Sequence, residues 1–179
     1  MLIRTTALVA LLVFGTALTR TQATSAQSAQ KPTDPQIAHI AYTAGVIDIE
    51  TAKLALSKSK NKAVVEFAQG MVRDHEAVNK QALDLAKKLK VTPEDNDTSK
   101  ALTKAAADER KKLSALNGAA FDKAYMQNEV AYHKQVNSAL KTLLIPSASN
   151  AELKNLLETG LKLFEGHRQH AEQVVAGLK

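Results

Sequence analysis

The chain has 179 residues, 45% of them hydrophobic but only 4% aromatic, and it contains neither Trp nor Cys. Rich in Ala, Leu and Lys, it has the composition of a helical bundle rather than a β-sandwich, and without Cys it has no disulfides, thiolate nucleophiles or thiolate metal ligands. Its formal charge of +6 comes from Lys and Arg scattered among Asp and Glu without interleaved aromatics, which excludes the usual pattern of a nucleic-acid binder.

Residues 1–26 read as a cleaved secretory signal peptide. A short basic start ending at Arg4 precedes the apolar run "ALVALLVFGTAL", which is too short to span a bilayer comfortably. The small residues after it allow cleavage following Ala23 or Ala26, and no Cys follows that could carry a lipid. Loss of Arg4 and Arg20 lowers the net charge from +6 to +4. That balance permits weak attraction to anionic envelope surfaces, although a solvated basic face is the simpler account. The expected location is the periplasm or the outer membrane. Residues 27–33 form a polar linker, and residues 34–179 form the folded domain, which is compatible with a homo-oligomer.

Within that domain Asp34 reads as an N-cap, with Pro35 at the first helical position, and opens a helix to about Ser59. "SKSKNK" is a turn, and a second helix runs from about Lys62 to Lys90. The stretch "VTPEDNDTS" breaks the chain. Asp95, Asp97 and Ser99 imitate the start of a calcium loop, but Lys100 and Ala106 stand where such a loop needs Gly and Glu, so a plain acidic loop is expected. A weaker amphipathic stretch carrying Leu102, Ala106, Leu113 and Leu116 follows, in a connection long enough to wrap one end of the bundle. A third long helix spans about Ala119 to Leu144 and stops at Pro146. A fourth, capped by Ser149 or Asn150, continues to the C-terminus. The expectation is all-α: an antiparallel four-helix bundle with a short extra helix between helices 2 and 3.

Each long helix carries an ionisable group on its apolar face. At 100° per residue, His75 lies about 20° from the line through Phe67, Ala68, Met71, Val78, Ala82, Leu85 and Leu89, and Asp48 lies about as near the centre of the helix 1 stripe. Helix 3 turns Phe121, Tyr125, Tyr132, Val136, Leu140 and Leu143 inward, with Glu129 inside that stripe and His133 at its edge; His167 sits inside the stripe of helix 4. His170 is on the flank, while Glu50, Glu165 and Glu172 point outward. Counted from the turns near residues 61 and 147, Asp48 is level with His75, and Glu129 with His167.

Five groups, Asp48, His75, Glu129, His133 and His167, thus converge on mid-bundle. Buried singly, each would cost several kcal/mol, so they must be paired or must hold an ion. Facing imidazoles and carboxylates are how bundles build metal sites. The competing reading is a dry network that pairs Asp48 with His75 and Glu129 with His167. Met71, one turn before His75, reads as core filler rather than a copper ligand, and Tyr125 and Tyr132 read as packing residues. There is no phosphate loop, nucleophile elbow or HExxH.

The pieces "DIETAKLALSKSKNKAVVEFAQGMVRDHEAVNKQALDLAKKL", "LNGAAFDKAYMQNEVAYHKQV" and "FEGHRQHA" resemble the ferritin-like bacterial envelope proteins catalogued as a domain of unknown function and often labelled "predicted outer membrane protein". The resemblance implies a ferritin-like fold and export, and brings no activity. Ferritin-type dinuclear centres use Glu-x-x-His on two helices and a Glu on the other two. In this chain Val72 stands three residues before His75, and His167 three before His170. Asp48 and Glu129 are the clear inward carboxylates, and Asp122 is a less central third. So imidazole-rich a set favours Zn or Cu over a di-iron oxidase centre.

Overall fold

The computed structural model describes residues 31–178, and these are all-helical, with no strand among them. The expected signal peptide and residues 27–30 of the linker lie outside the described residues. The helices are α1 (Asp34–Lys58), α2 (Lys62–Lys88), α3 (Asp97–Ser114), α4 (Gly118–Ala139), α5 (Ile145–Ser147) and α6 (Ala151–Gly177). No helix among the described residues is long and apolar enough to cross a membrane.

The long helices α1, α2, α6 and α4 form a ring in which each packs against the next. The pairings His75 with His167 and Lys88 with Glu152 set α2 antiparallel to α6. Tyr132 Oη donates to the Ala44 carbonyl at 2.8 Å and ties α4 to α1. The connection after α2 departs from expectation: its helix, expected to be short, runs 18 residues. Instead of wrapping an end, α3 lies parallel to α1 along its length. Its start is held where Asn96 Nδ2 meets the Gln36 carbonyl at 3.4 Å, and its end where Lys58 Nζ donates to the Ser114 carbonyl at 2.9 Å. Arg110 of α3 bridges to Glu50 at 2.8 Å. The acidic loop serves as the cap of this helix: Asp95 Oδ1 accepts from Ser99 Oγ, and Asn96 Oδ1 from the Ser99 N–H.

Two further expectations change in detail. Thr33, not Asp34, is the N-cap of α1, and its N–H donates to Gln36 Oε1. The Asp34 carboxylate instead accepts from the N–H groups of Ser149 and Asn150, both at 2.8 Å, which fastens the start of α1 to the turn before α6. Pro146 does not stop its helix either. A π-helical turn at Leu140–Leu144, with Ile145 N–H bonded to the Leu140 carbonyl, carries the chain through Pro146 into α5. A wider turn accommodates a ring that would clash with an α-helical carbonyl four residues back. It also changes which side chain returns to the inner face: Leu140 and Leu144 are buried, whereas Leu143, expected inside, is exposed.

The apolar interior falls into two clusters. One gathers Ala52, Val64, Phe67, Met71, Phe121, Tyr125 and Ala171. The other gathers Ile37, Ile40, Leu140, Leu144, Leu153, Leu157 and Phe164. Between them lies a polar layer.

Candidate metal centre

The polar layer is formed by Asp48 on α1, His75 on α2, Glu129 and His133 on α4, and His167 on α6, none of them more than 6% exposed. All five sequence-derived candidates therefore occupy one volume. The rings of His75, His133 and His167 form a triangle with centroid separations of 5.8, 5.3 and 5.5 Å. Phe164 stacks flat against His75 at 4.7 Å and closes one side. Asp48 Oδ2 lies 3.0 Å from His75 Nε2 and 3.4 Å from His133 Nε2, while Glu129 Oε2 is 3.6 Å from His133 Nδ1.

The short contacts to Asp48 are not aligned as hydrogen bonds. Both Asp48 oxygens, both His75 nitrogens, His133 Nε2, Glu129 Oε2 and His167 Nδ1 are buried without a hydrogen-bond partner. Native interiors seldom leave so many polar atoms unmatched in one place. One ligand atom from each of His75, His133 and His167 lies within 4.8 Å of the others, and the same holds for Asp48, Glu129 and His133. Donors around a tetrahedral zinc-sized ion stand about 3.3 Å apart, so small side-chain rotations suffice to close either group.

Outer contacts orient two of the rings. His133 Nδ1 lies 3.0 Å from the Glu129 carbonyl, which can only accept, so Nδ1 carries the proton and Nε2 presents its lone pair to the centre. His167 Nε2 lies 3.1 Å from Asp74 Oδ2, which leaves Nδ1 as the lone-pair nitrogen. Asp74 is the residue that sequence reasoning missed. It is adjacent to His75 and only half-buried, so its position on the helix gives no signal. The Glu129–His167 pair of the competing dry network is not formed; the side-chain partner of His167 is Asp74, through Nε2. Asn137, one turn beyond His133 and also buried with an unpartnered side chain, extends the polar layer.

Burial governs the protonation of the cluster. It raises Asp48, but His75, His133 and the Glu129 carboxyl outweigh it and hold Asp48 down at about 2. Glu129 is pushed well above the carboxylate range by burial and by the charge of Asp48. Burial lowers His133, helped by His75 and opposed by Asp48. It also lowers His167 to about 4, with His75 and His133 adding to the effect. At neutral pH the layer thus contains an ionised Asp48 and neutral imidazoles at His133 and His167, the form in which histidine binds metal, while burial favours the protonated form of Glu129.

The remaining expectations divide by position. Glu50 and Glu165 lie outside the cluster, paired with Arg110 and Lys141. Asp122 is buried but belongs to the far end of the bundle, beside Asn61 and Leu178. Met71 and Tyr125 lie in the apolar core. His170 is exposed, its ring edge against Phe67 at 5.3 Å.

No curated protein matches the chain in sequence. Among solved structures, a DUF305 protein of Streptomyces coelicolor, described as secreted, is similar in fold: TM-score 0.68 at 13% identity, covering 79% of this chain and 91% of that one. CopM in its Cu(II)-bound form is also similar, with TM-score 0.63 at 12% identity, covering 84% of this chain and 100% of CopM. At these identities the likeness is one of fold. Membership is carried by the sequence itself: the model of the family described as Domain of unknown function (DUF4142) matches residues 19–174, a span that takes in the whole polar layer, and the chain belongs to that family.

Proposed function

We propose that this protein is an exported, ferritin-like helical bundle that binds a single transition-metal ion, without enzymatic activity, through His75, His133 and His167, with Asp48 completing the set and Glu129 beside it. The observation that carries this reading is the convergence of three buried imidazoles whose inward nitrogens lack hydrogen-bond partners. Three imidazoles and one carboxylate suit Zn or Cu better than a dinuclear iron centre, which needs more carboxylates than Asp48 and Glu129 supply. The Cu(II) bound by the similarly folded CopM supports copper as the first ion to test. The signal-peptide reading of residues 1–26 and the secreted description of the Streptomyces coelicolor protein support a periplasmic or outer-membrane location. The bound ion would serve storage, buffering or protection.

Elemental analysis of untagged protein, purified without chelator, tests this directly. About one Cu or Zn per chain is expected, together with a rise in thermal midpoint when the metal-free protein receives the ion. Less than about 0.1 metal per chain and no such shift would overturn the proposal.

A second reading, a dry network that fixes helix register in an envelope interaction protein, is favoured by the 3.0 Å approach of His75 to Asp48 and the 3.1 Å contact of His167 with Asp74. It makes its own demand. Replacing Asp48 and His75 together by Leu should leave stability unchanged or raised, whereas His75→Leu alone costs about 3 kcal/mol or more by leaving the Asp48 charge poorly paired.

A further inference from the structure

A cavity of about 180 Å³ lies between α1, α2 and α6, lined at one end by Asp34 and Asn150 and at the other by His75 and Phe164. Small residues create it: Ala41 and Ala44 on α1, Ala82 on α2, Gly160 on α6. Val78 and Leu85 on the inward face of α2, and Leu89 at its C-cap, line this space and are only half-buried. Interiors normally close such gaps, since a void forfeits packing contacts along its whole lining.

We infer that the cavity is a binding site for a small, neutral, largely apolar molecule, an aromatic ring or a short alkyl chain, whose inner end rests against His75. Its size is that of apolar cavities that admit a benzene-sized guest. A helix about 10 Å across does not fit, so the occupant is a small molecule rather than a peptide or a partner protein. Neutrality follows from the walls. Asp34 is already committed to the N–H groups of Ser149 and Asn150, and Asn150 Oδ1 to those of Glu152 and Leu153. A charged guest would lose its hydration and find no free counter-charge along the apolar walls. The Asn79 amide offers one polar group on the wall, which suits a guest with a single hydroxyl or carbonyl. The site does not depend on a metal at the imidazoles, although its occupant would reach them from this side.

Toluene is the probe, added near its solubility limit to metal-free protein, so that failure of the metal reading leaves this test intact. The thermal midpoint should rise by about 2–4 °C, the effect of a ligand at several times its Kd on a domain of this size. Methyl resonances of Val78, Leu85 and Leu157 should shift, while those of Val64 and Val174 in the opposite half stay in place. Ala82→Leu and Ala41→Leu, each filling the cavity from a different helix, should abolish both responses while retaining the helical circular-dichroism spectrum. Should both variants fail to fold, the methyl map of the unaltered protein decides alone. The inference is overturned if toluene leaves the midpoint and those three residues unmoved, or if a folded filled variant responds as strongly as the parent.

Discussion

Asp74 Oδ2 and His167 Nε2 stand 3.1 Å apart across the α2–α6 interface, and this contact determines which imidazole nitrogen is turned to the interior. Asp74 is itself steadied by Arg73, whose guanidinium meets both carboxylate oxygens at 2.9 and 3.2 Å. A carboxylate behind a histidine fixes the tautomer and raises the basicity of the inward nitrogen.

If His167 ligates a metal, Asp74→Ala should weaken that metal about 10- to 100-fold. Competition against a chelator of known affinity measures this, and an unchanged constant would separate His167 from the ligand set. Arg73→Ala, one step further out, should cost less.

Stability of the metal-free protein should depend on pH through His167, His133 and Glu129. His167 is held at about 4 against 6.5 in an unperturbed chain, and His133 is lowered too. The unfolded chain takes up these protons first as pH falls. The stability is therefore fully present above 6.5 and is lost between 6.5 and 4, with His167 accounting for about 3 kcal/mol. Glu129 has the opposite sign, since the folded protein keeps a proton that the unfolded chain releases above 4.5, so its contribution falls as pH rises from there. Urea midpoints from pH 4 to 9 should trace this dependence, and Glu129→Gln should steepen the rise of stability between about 4.5 and 6.5, where Glu129 opposes the histidines.

Gly45 and Asn79 are coupled. A Cβ at residue 45 would come within 2.2 Å of Asn79 Oδ1, so the Asn79 side chain fills the space that Gly45 leaves open between α1 and α2. Gly45→Ala should cost about 1–3 kcal/mol. Adding Asn79→Ala should recover a large part of that loss, a non-additivity readable in a double-mutant cycle.

Lys90 has a φ of 54° just beyond α2, where Val91 N–H bonds back to the Ala86 carbonyl at 2.9 Å. Left-handed backbone penalises any residue with a Cβ, so Lys90→Gly should stabilise the protein by about 1 kcal/mol, or about 2–4 °C in thermal midpoint. A lowered midpoint would mean that Lys90 contributes a surface interaction larger than its backbone strain.

Helical periodicity and distance from the turns were enough to locate the four long helices and the inward, level positions of Asp48, His75, Glu129, His133 and His167. Both quantities are local: 100° and about 1.5 Å per residue apply whatever the helix packs against. Matters that depend on the neighbour were decided by the tertiary structure alone. Asp74 lies off the apolar stripe of α2 and matters only because α6 brings His167 to it. The path of α3 along α1 depends on contacts such as Arg110 with Glu50 and Lys58 with Ser114, between residues far apart in the chain. The π-helical turn before Pro146 changed the inward register from Leu143 to Leu144, a local adjustment that a fixed 100° count cannot represent. The cavity beside His75 is likewise invisible in any one helix. It exists because small residues on α1, α2 and α6 face the same space, and their common facing is a property of the packed bundle.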